Sequence, residues 1–404
     1  MTNRPTAYQS GQLAMDGVPL PDIAARFDTP TFVYSADSIR RAIRHVQAAF
    51  AGASPMVAYS VKANTNGAVL RLMAREGAAF DIVSGGELMR ALRAGVTGSR
   101  VIFAGVGKTA QEMELALNAG VHEFNVESVD EARLLDAVAA RVGKAAPVAL
   151  RVNPDVAAKT HDYISTGRKA DKFGLSLERA LDLAARIPLE LRHLKLMGVH
   201  AHIGSQIMTA EAHEAAAAVL DAFLVRLRAV GATITTLNFG GGFGVNYAGD
   251  EDTDLAPLAR PIIDLAARHG LKLVLEPGRY LVARSGVLLT RVLYRKQGDG
   301  KGFAIVDASM TENIRPALYQ AFHQIVPAAE PATADREVVD VVGPVCESSD
   351  FLGKDRSLPP LAAGDLLAVL DTGAYCAVMG SNYNSRPLAA EVLVDNGAAH
   401  LIRR

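Results

Sequence analysis

Cysteine is scarce in this chain, two residues in 404. That excludes a disulfide framework and fits a reducing compartment. Both, Cys346 and Cys376, lie near the C-terminus without zinc-type Cys/His spacing, so no metal site is expected. Long apolar runs are missing too: even "AAAAVLDAFLVRL" is broken by Asp221 and Arg226, and nothing reaches the length of a bilayer span. An excess of one charge is also absent. With 42 Lys+Arg against 43 Asp+Glu there is no general electrostatic reason to expect nucleic acid or an anionic membrane as a partner. The opening "MTNRPTAYQSGQLAMDG" has no apolar core, so no secretory signal is expected there. The remainder, 50% hydrophobic, is globular composition, and the expectation is a soluble cytoplasmic protein of two domains.

Short β-branched runs alternate with helical patterns, the signature of an α/β fold with a parallel sheet. Eight such runs occur: "MVAYSV", "FDIVS", "VIFAG", "EFNVE", "VALRVNP", "MGVHAHIGS", "TLNFGGGF" and "LKLVLEPGR". Helix-like segments between them, "TAQEMELALNAG" for instance, start at a capping residue and stop at glycine. The count and length predict a (β/α)8 TIM-type barrel over residues 30–280. After Tyr280 strands follow one another through Gly-rich turns without long helices, predicting a mostly antiparallel β-barrel or Greek-key domain over 281–404, joined by residues 1–29.

In such a barrel, functional groups come from the C-terminal ends of the strands. Those ends carry Lys62, Asp81, Ser84, Arg151, Asn153, His200, His202, Gly240 to Gly242, Glu276 and Arg279. Each has a plain structural explanation: a solvated lysine, a hydrogen-bonded histidine, a turn glycine, a carboxylate paired with arginine. Together on one rim they suggest more. "LNFGGGFGV" could cradle a phosphate on backbone N–H groups. Glu276 is expensive to bury without a cationic or protonated partner. A lysine, a phosphate cradle and a buried carboxylate together suggest pyridoxal phosphate. A second Gly-rich stretch, "GVGKT" at Gly105 to Thr109, fails as a P-loop because Ile102 stands where glycine is required.

These motifs, with "YSVKAN", "FDIVSGGEL", "ISTGRKADKFG", "HIGSQI", "EPGR", "IRPALYQAFH", "GPVCESSDFLGKDR" and "GAYCAVMGSNYNSRP", resemble the barrel-type (fold-type III) pyridoxal-phosphate-dependent decarboxylases of basic amino acids over nearly the whole chain. The resemblance implies roles. Lys62 would carry the cofactor covalently, His202 stack on its ring, Ser205 and Gly240, Gly241 and Gly242 lie near its phosphate, and Glu276 bind its pyridine nitrogen. Asp81, Gly278, Arg279 and Tyr375 match further cofactor positions. Arg279, Arg315, Tyr319, Glu347 and Tyr375 match substrate positions, and Cys346 the proton donor. A homodimer sharing active sites across its interface is implied as well. Alanine racemases resemble this barrel too, but as a family set an arginine against the ring nitrogen, so Glu276 argues for decarboxylation. Arg315 and Arg279 could pair a second substrate carboxylate bidentately. The implied reaction is decarboxylation of meso-2,6-diaminopimelate to L-lysine. The alternative is another basic amino acid: ornithine, lysine, arginine, a D-amino acid or a carboxylated polyamine. One departure, Cys376 after "GAY" where a small residue is expected, reads as packing.

Overall fold

The computed structural model describes residues 4–156 and 172–404, in two compact units. Most of the motif "ISTGRKADKFG" lies outside the described residues.

The first unit, Ile43–Gly244 with Thr253–Tyr280, contains the barrel. Its eight strands are Met56–Ser60, Ala79–Ile82, Val101–Phe103, Glu123–Val126, Ala146–Val152, Leu194–Ala201, Thr236–Asn238 and Lys272–Leu275. They pair in chain order, all parallel, and the last closes on the first. All eight runs expected as strands are strands. The helices between them start and stop for local reasons. Ser84, Thr109, Ser128 and Ser176 each accept a backbone N–H one turn into the helix that follows. Thr109 and Glu112 form a reciprocal capping box. Gly120, Gly143 and Gly270 close three helices in the left-handed conformation.

The barrel interior is layered by polarity. Ala58, Ala79, Ile102 and Val274 pack together as one small apolar layer, with Met56 against it. A polar layer holds Glu123, Asn125, His200, Asn238 and Glu276, all buried. Asn238, on the seventh strand, bonds to Glu123 on the fourth. Those strands are not neighbours, so the bond crosses the lumen.

The second unit comprises Met1–Ala42, Val245–Asp252 and Leu281–Arg404. Its main sheet runs from Phe351–Leu358 through Glu337–Val342, Lys301–Val306, Gly286–Gly298, Thr31–Ser35 and Ala390–Asp395 to Ala398–Arg403. Most pairings are antiparallel, as expected. Two are parallel: Lys301–Val306 with Glu337–Val342, and Thr31–Ser35 with Ala390–Asp395. The N-terminal strand Gln12–Met15 touches the same unit, where the Leu13 N–H donates to the Ala328 carbonyl (2.7 Å). Among the described residues no helix is long and apolar enough to cross a membrane.

Candidate active site

The barrel strands end in one connected set of polar groups. Lys62 lies in the turn Val61–Ala63 after the first strand, exposed, and its charge acts on Asp81, Glu87 and His202. Asp81, last but one in the second strand, is buried, and Ser60 Oγ donates to its Oδ2 (2.7 Å). Burial, then the neighbouring Glu276, push its carboxyl well above the usual carboxylate range, against the pull of Lys62. Its other oxygen, Oδ1, is buried with no hydrogen-bond partner among the described residues.

Glu276 follows the eighth strand and takes the opposite state. Burial alone would raise its pKa, but the His200 imidazole, donating from Nε2 to Oε2 (3.0 Å), and the Asn238 amide, donating to Oε1 (2.7 Å), hold it down at about 2. Asn125 Nδ2 adds a third bond to Oε1 (3.0 Å). Glu276 is therefore an ionised carboxylate inside the barrel, where a cation is its natural complement.

His202 is half-buried at the same end. Its Nδ1 accepts the Gly241 N–H (3.3 Å), which leaves the ring proton on Nε2. Loss of surrounding water, then the Lys62 charge, hold its pKa well below the usual value, so the ring is neutral. Gly240 and Gly242 have φ of 67° and 96°, the left-handed region that favours glycine. A Cβ on Gly241 would collide with the Glu276 carbonyl, and one on Gly242 with the Gly204 carbonyl. Close backbone packing therefore demands these glycines before any ligand is considered. Gly278 is buried in the loop after Glu276. Arg279, buried, donates through Nε (3.3 Å) and a terminal nitrogen (3.1 Å) to Ser205 Oγ. The nine candidates from Asp81 to Arg279, with Lys62, thus gather at one end of the barrel.

The other five candidates belong to the second unit. Arg315 opens the short helix Arg315–Tyr319, is buried, donates to His323 Nε2 (2.8 Å), and lies over the Tyr247 ring at 4.8 Å. His323 donates from Nδ1 to the Leu370 carbonyl (2.8 Å), so its Nε2 carries no proton and is the acceptor for the Arg315 guanidinium. Tyr319, half-buried, ends that helix. Cys346 and Glu347 are exposed on the loop before Phe351–Leu358, where the Cys346 N–H donates to Asn384 Oδ1 (2.9 Å) and Glu347 bonds the Tyr383 hydroxyl. Tyr375 has φ of 58°, a conformation costing an aromatic residue about 1–2 kcal/mol. Cys376 is buried, its thiol 3.4 Å from Asn313 Oδ1 and next to Arg315.

Lys108, from the rejected P-loop stretch, is a structural lysine. Its buried ammonium donates to the carbonyls of Gly105 and Asn125 and to Glu131, each at 2.7 Å, which uses all three donors. Sequence reasoning missed Glu123, Asn125 and Asn238. The signal was present: "EFNVE" puts polar residues at alternate positions of a strand otherwise fit for a barrel core.

The residues fit a phosphorylated pyridinium aldehyde. An exposed amine, an ionised acid for the ring nitrogen, a neutral flat imidazole and a glycine backbone close together are the groups such a molecule needs. Comparison with known proteins agrees. The chain is 50% identical over 398 residues to a diaminopimelate decarboxylase of Pseudomonas aeruginosa, covering 98% of this chain and 95% of the relative. It is 48% identical over 396 residues to the Neisseria meningitidis enzyme of that name, covering 97% and 96%. Among solved structures, diaminopimelate decarboxylase from Helicobacter pylori complexed with L-lysine superposes with a TM-score of 0.90 at 39% identity, over 95% of this chain and 96% of that one. Residues 36–283 match the family described as pyridoxal-dependent decarboxylase, pyridoxal binding domain. On that match, and on the barrel end that agrees with it, the chain belongs to the pyridoxal-dependent decarboxylases.

Proposed function

We propose that this protein decarboxylates meso-2,6-diaminopimelate to L-lysine and CO2, the last step of lysine biosynthesis. One observation carries the choice within the family: likeness to diaminopimelate decarboxylases runs over nearly the full length of the chain at 48–50% identity. The structural neighbour called lysine decarboxylase, from Selenomonas ruminantium, is 26% identical.

The bound cofactor supplies an electron sink for the bond that breaks as CO2 leaves. The chain's residues do the rest. Lys62 holds the cofactor covalently. Glu276, kept ionised, pairs with the protonated ring nitrogen and so keeps the sink strong. Neutral His202 lies against the ring face without adding a competing charge. Ser205, Gly240, Gly241 and Gly242 hold the phosphate, with Asp81, Gly278, Arg279 and Tyr375 as further cofactor contacts. Arg315 and Arg279 receive the distal carboxylate, Glu347 the distal ammonium, and Tyr319 and Tyr375 complete the substrate contacts. Cys346, exposed on its loop, delivers a proton from its thiol to the carbon that lost CO2. The protein acts as a homodimer whose sites are shared between subunits.

The test is CO2 release from purified protein with meso-diaminopimelate, L-lysine, L-ornithine and L-arginine offered side by side, and identification of the amine product. Release confined to diaminopimelate is expected. Turnover of ornithine or arginine at a comparable rate would overturn the assignment. Borohydride reduction and peptide mapping should place the cofactor on Lys62.

A further inference from the structure

The carboxamide of Asn238 has only one workable orientation. Its Oδ1 accepts the Gly240 N–H (3.1 Å), so its nitrogen faces the acids and donates to Glu276 Oε1 (2.7 Å) and Glu123 Oε1 (3.2 Å). A flipped amide would set oxygen against two carboxyl groups and nitrogen against a donor. The Gly240 carbonyl in turn accepts the Glu276 N–H (2.7 Å). Gly240 and Glu276 are therefore tied twice, once through backbone and once through a side chain. The next glycine, Gly241, reaches His202 Nδ1.

We propose that Asn238 is a positioning residue that locks the glycine backbone at Gly240–Gly242 to the Glu276 carboxylate, fixing the spacing between the phosphate end and the ring-nitrogen end of the cofactor, with Glu123 bracing the amide from the far side. The proposal rests on the roles given above to Glu276 and the glycines, and goes one step behind them. A purely space-filling role fits poorly. One layer of the lumen is built from Ala58, Ala79, Ile102 and Val274, and an apolar residue at 238 would likewise avoid the cost of a buried amide between two acids. The two acids also differ in state: Glu276 is ionised, whereas burial raises Glu123 to about 7. One amide thus joins a carboxylate that must meet the cofactor to an acid that need not.

The test uses full-length protein stripped of cofactor and three probes: pyridoxal phosphate, pyridoxal without its phosphate, and 1-deazapyridoxal phosphate, in which carbon replaces the ring nitrogen. Asn238→Asp keeps the shape but turns the donor into an acceptor; Asn238→Ala removes the group without adding charge. Each variant should weaken binding of pyridoxal phosphate about tenfold or more. Each should cost at least about threefold less with either analogue, because each analogue has already given up one of the two linked contacts. A penalty equal for all three probes, a penalty relieved by one analogue only, or no penalty would overturn the proposal. If one variant does not fold by circular dichroism, the other decides. Wild-type protein that fails to bind pyridoxal phosphate would sink the reading of the site itself; normal wild-type binding with unaffected variants would sink only the role of Asn238.

Discussion

Replacing Glu123 by glutamine should make the protein more stable, and only above a certain pH. Glu123 is fully buried, and burial, against the opposing Asn238 hydrogen bond, raises its pKa from 4.5 to about 7. A folded pKa above the unfolded one means that the folded state is penalised wherever the unfolded chain would be ionised. The penalty is absent below about pH 4.5, grows as pH rises from there to about 7, and is constant beyond. Its full size is about 3 kcal/mol, from 1.36 kcal/mol for each pH interval between the two values. Glutamine keeps an oxygen for Asn238 and places its amide where Oε2 now lies, which has no partner among the described residues. The variant therefore copies the protonated acid and escapes the titration. Thermal unfolding of cofactor-free protein should show Glu123→Gln unfolding roughly 5–10 °C higher than wild type at pH 8, taking the barrel unit as one cooperative block. At pH 4.5 the two should nearly coincide. An equal gain at both pH values, or none at pH 8, would mean that Glu123 ionises like an ordinary surface carboxylate and that the polar layer has been misread.

Three further outcomes are expected. Arg315→Ala should raise KM for meso-diaminopimelate about tenfold or more, measured by CO2 release, because it removes the proposed partner of the distal carboxylate. His323→Leu should shift KM in the same direction with a smaller change in kcat, since His323 Nε2 accepts from the Arg315 guanidinium and holds it in place. Lys108→Met should lower stability by about 3 kcal/mol in chemical denaturation, leaving the Glu131 carboxylate and two carbonyls without their shared donor.

The barrel was readable because its period is local. Each strand is a short β-branched run, and each helix announces its ends with Ser, Thr or Gly, so eight repeats could be counted without knowing what paired with what. The second unit was readable only in texture. Thr31–Ser35 lies parallel to Ala390–Asp395, and nothing in either segment encodes a partner at the far end of the chain. At the site, Lys62, His202 and Glu276 stood out as polar residues at strand ends. Asn125 and Asn238 did not, because a polar residue inside a strand is usually read as facing solvent. Here the inner wall is the polar one, and the Asn238 bond across the lumen is a non-local fact.

The collision awaiting any side chain at position 241 has a practical corollary for protein engineering. The glycine loop and the "EPGR" turn press backbone on backbone, so neither can be exchanged alone. A graft meant to accept a differently phosphorylated vitamin would have to transplant both segments as a single cassette, or the foreign loop would pry the last strand away from its neighbour.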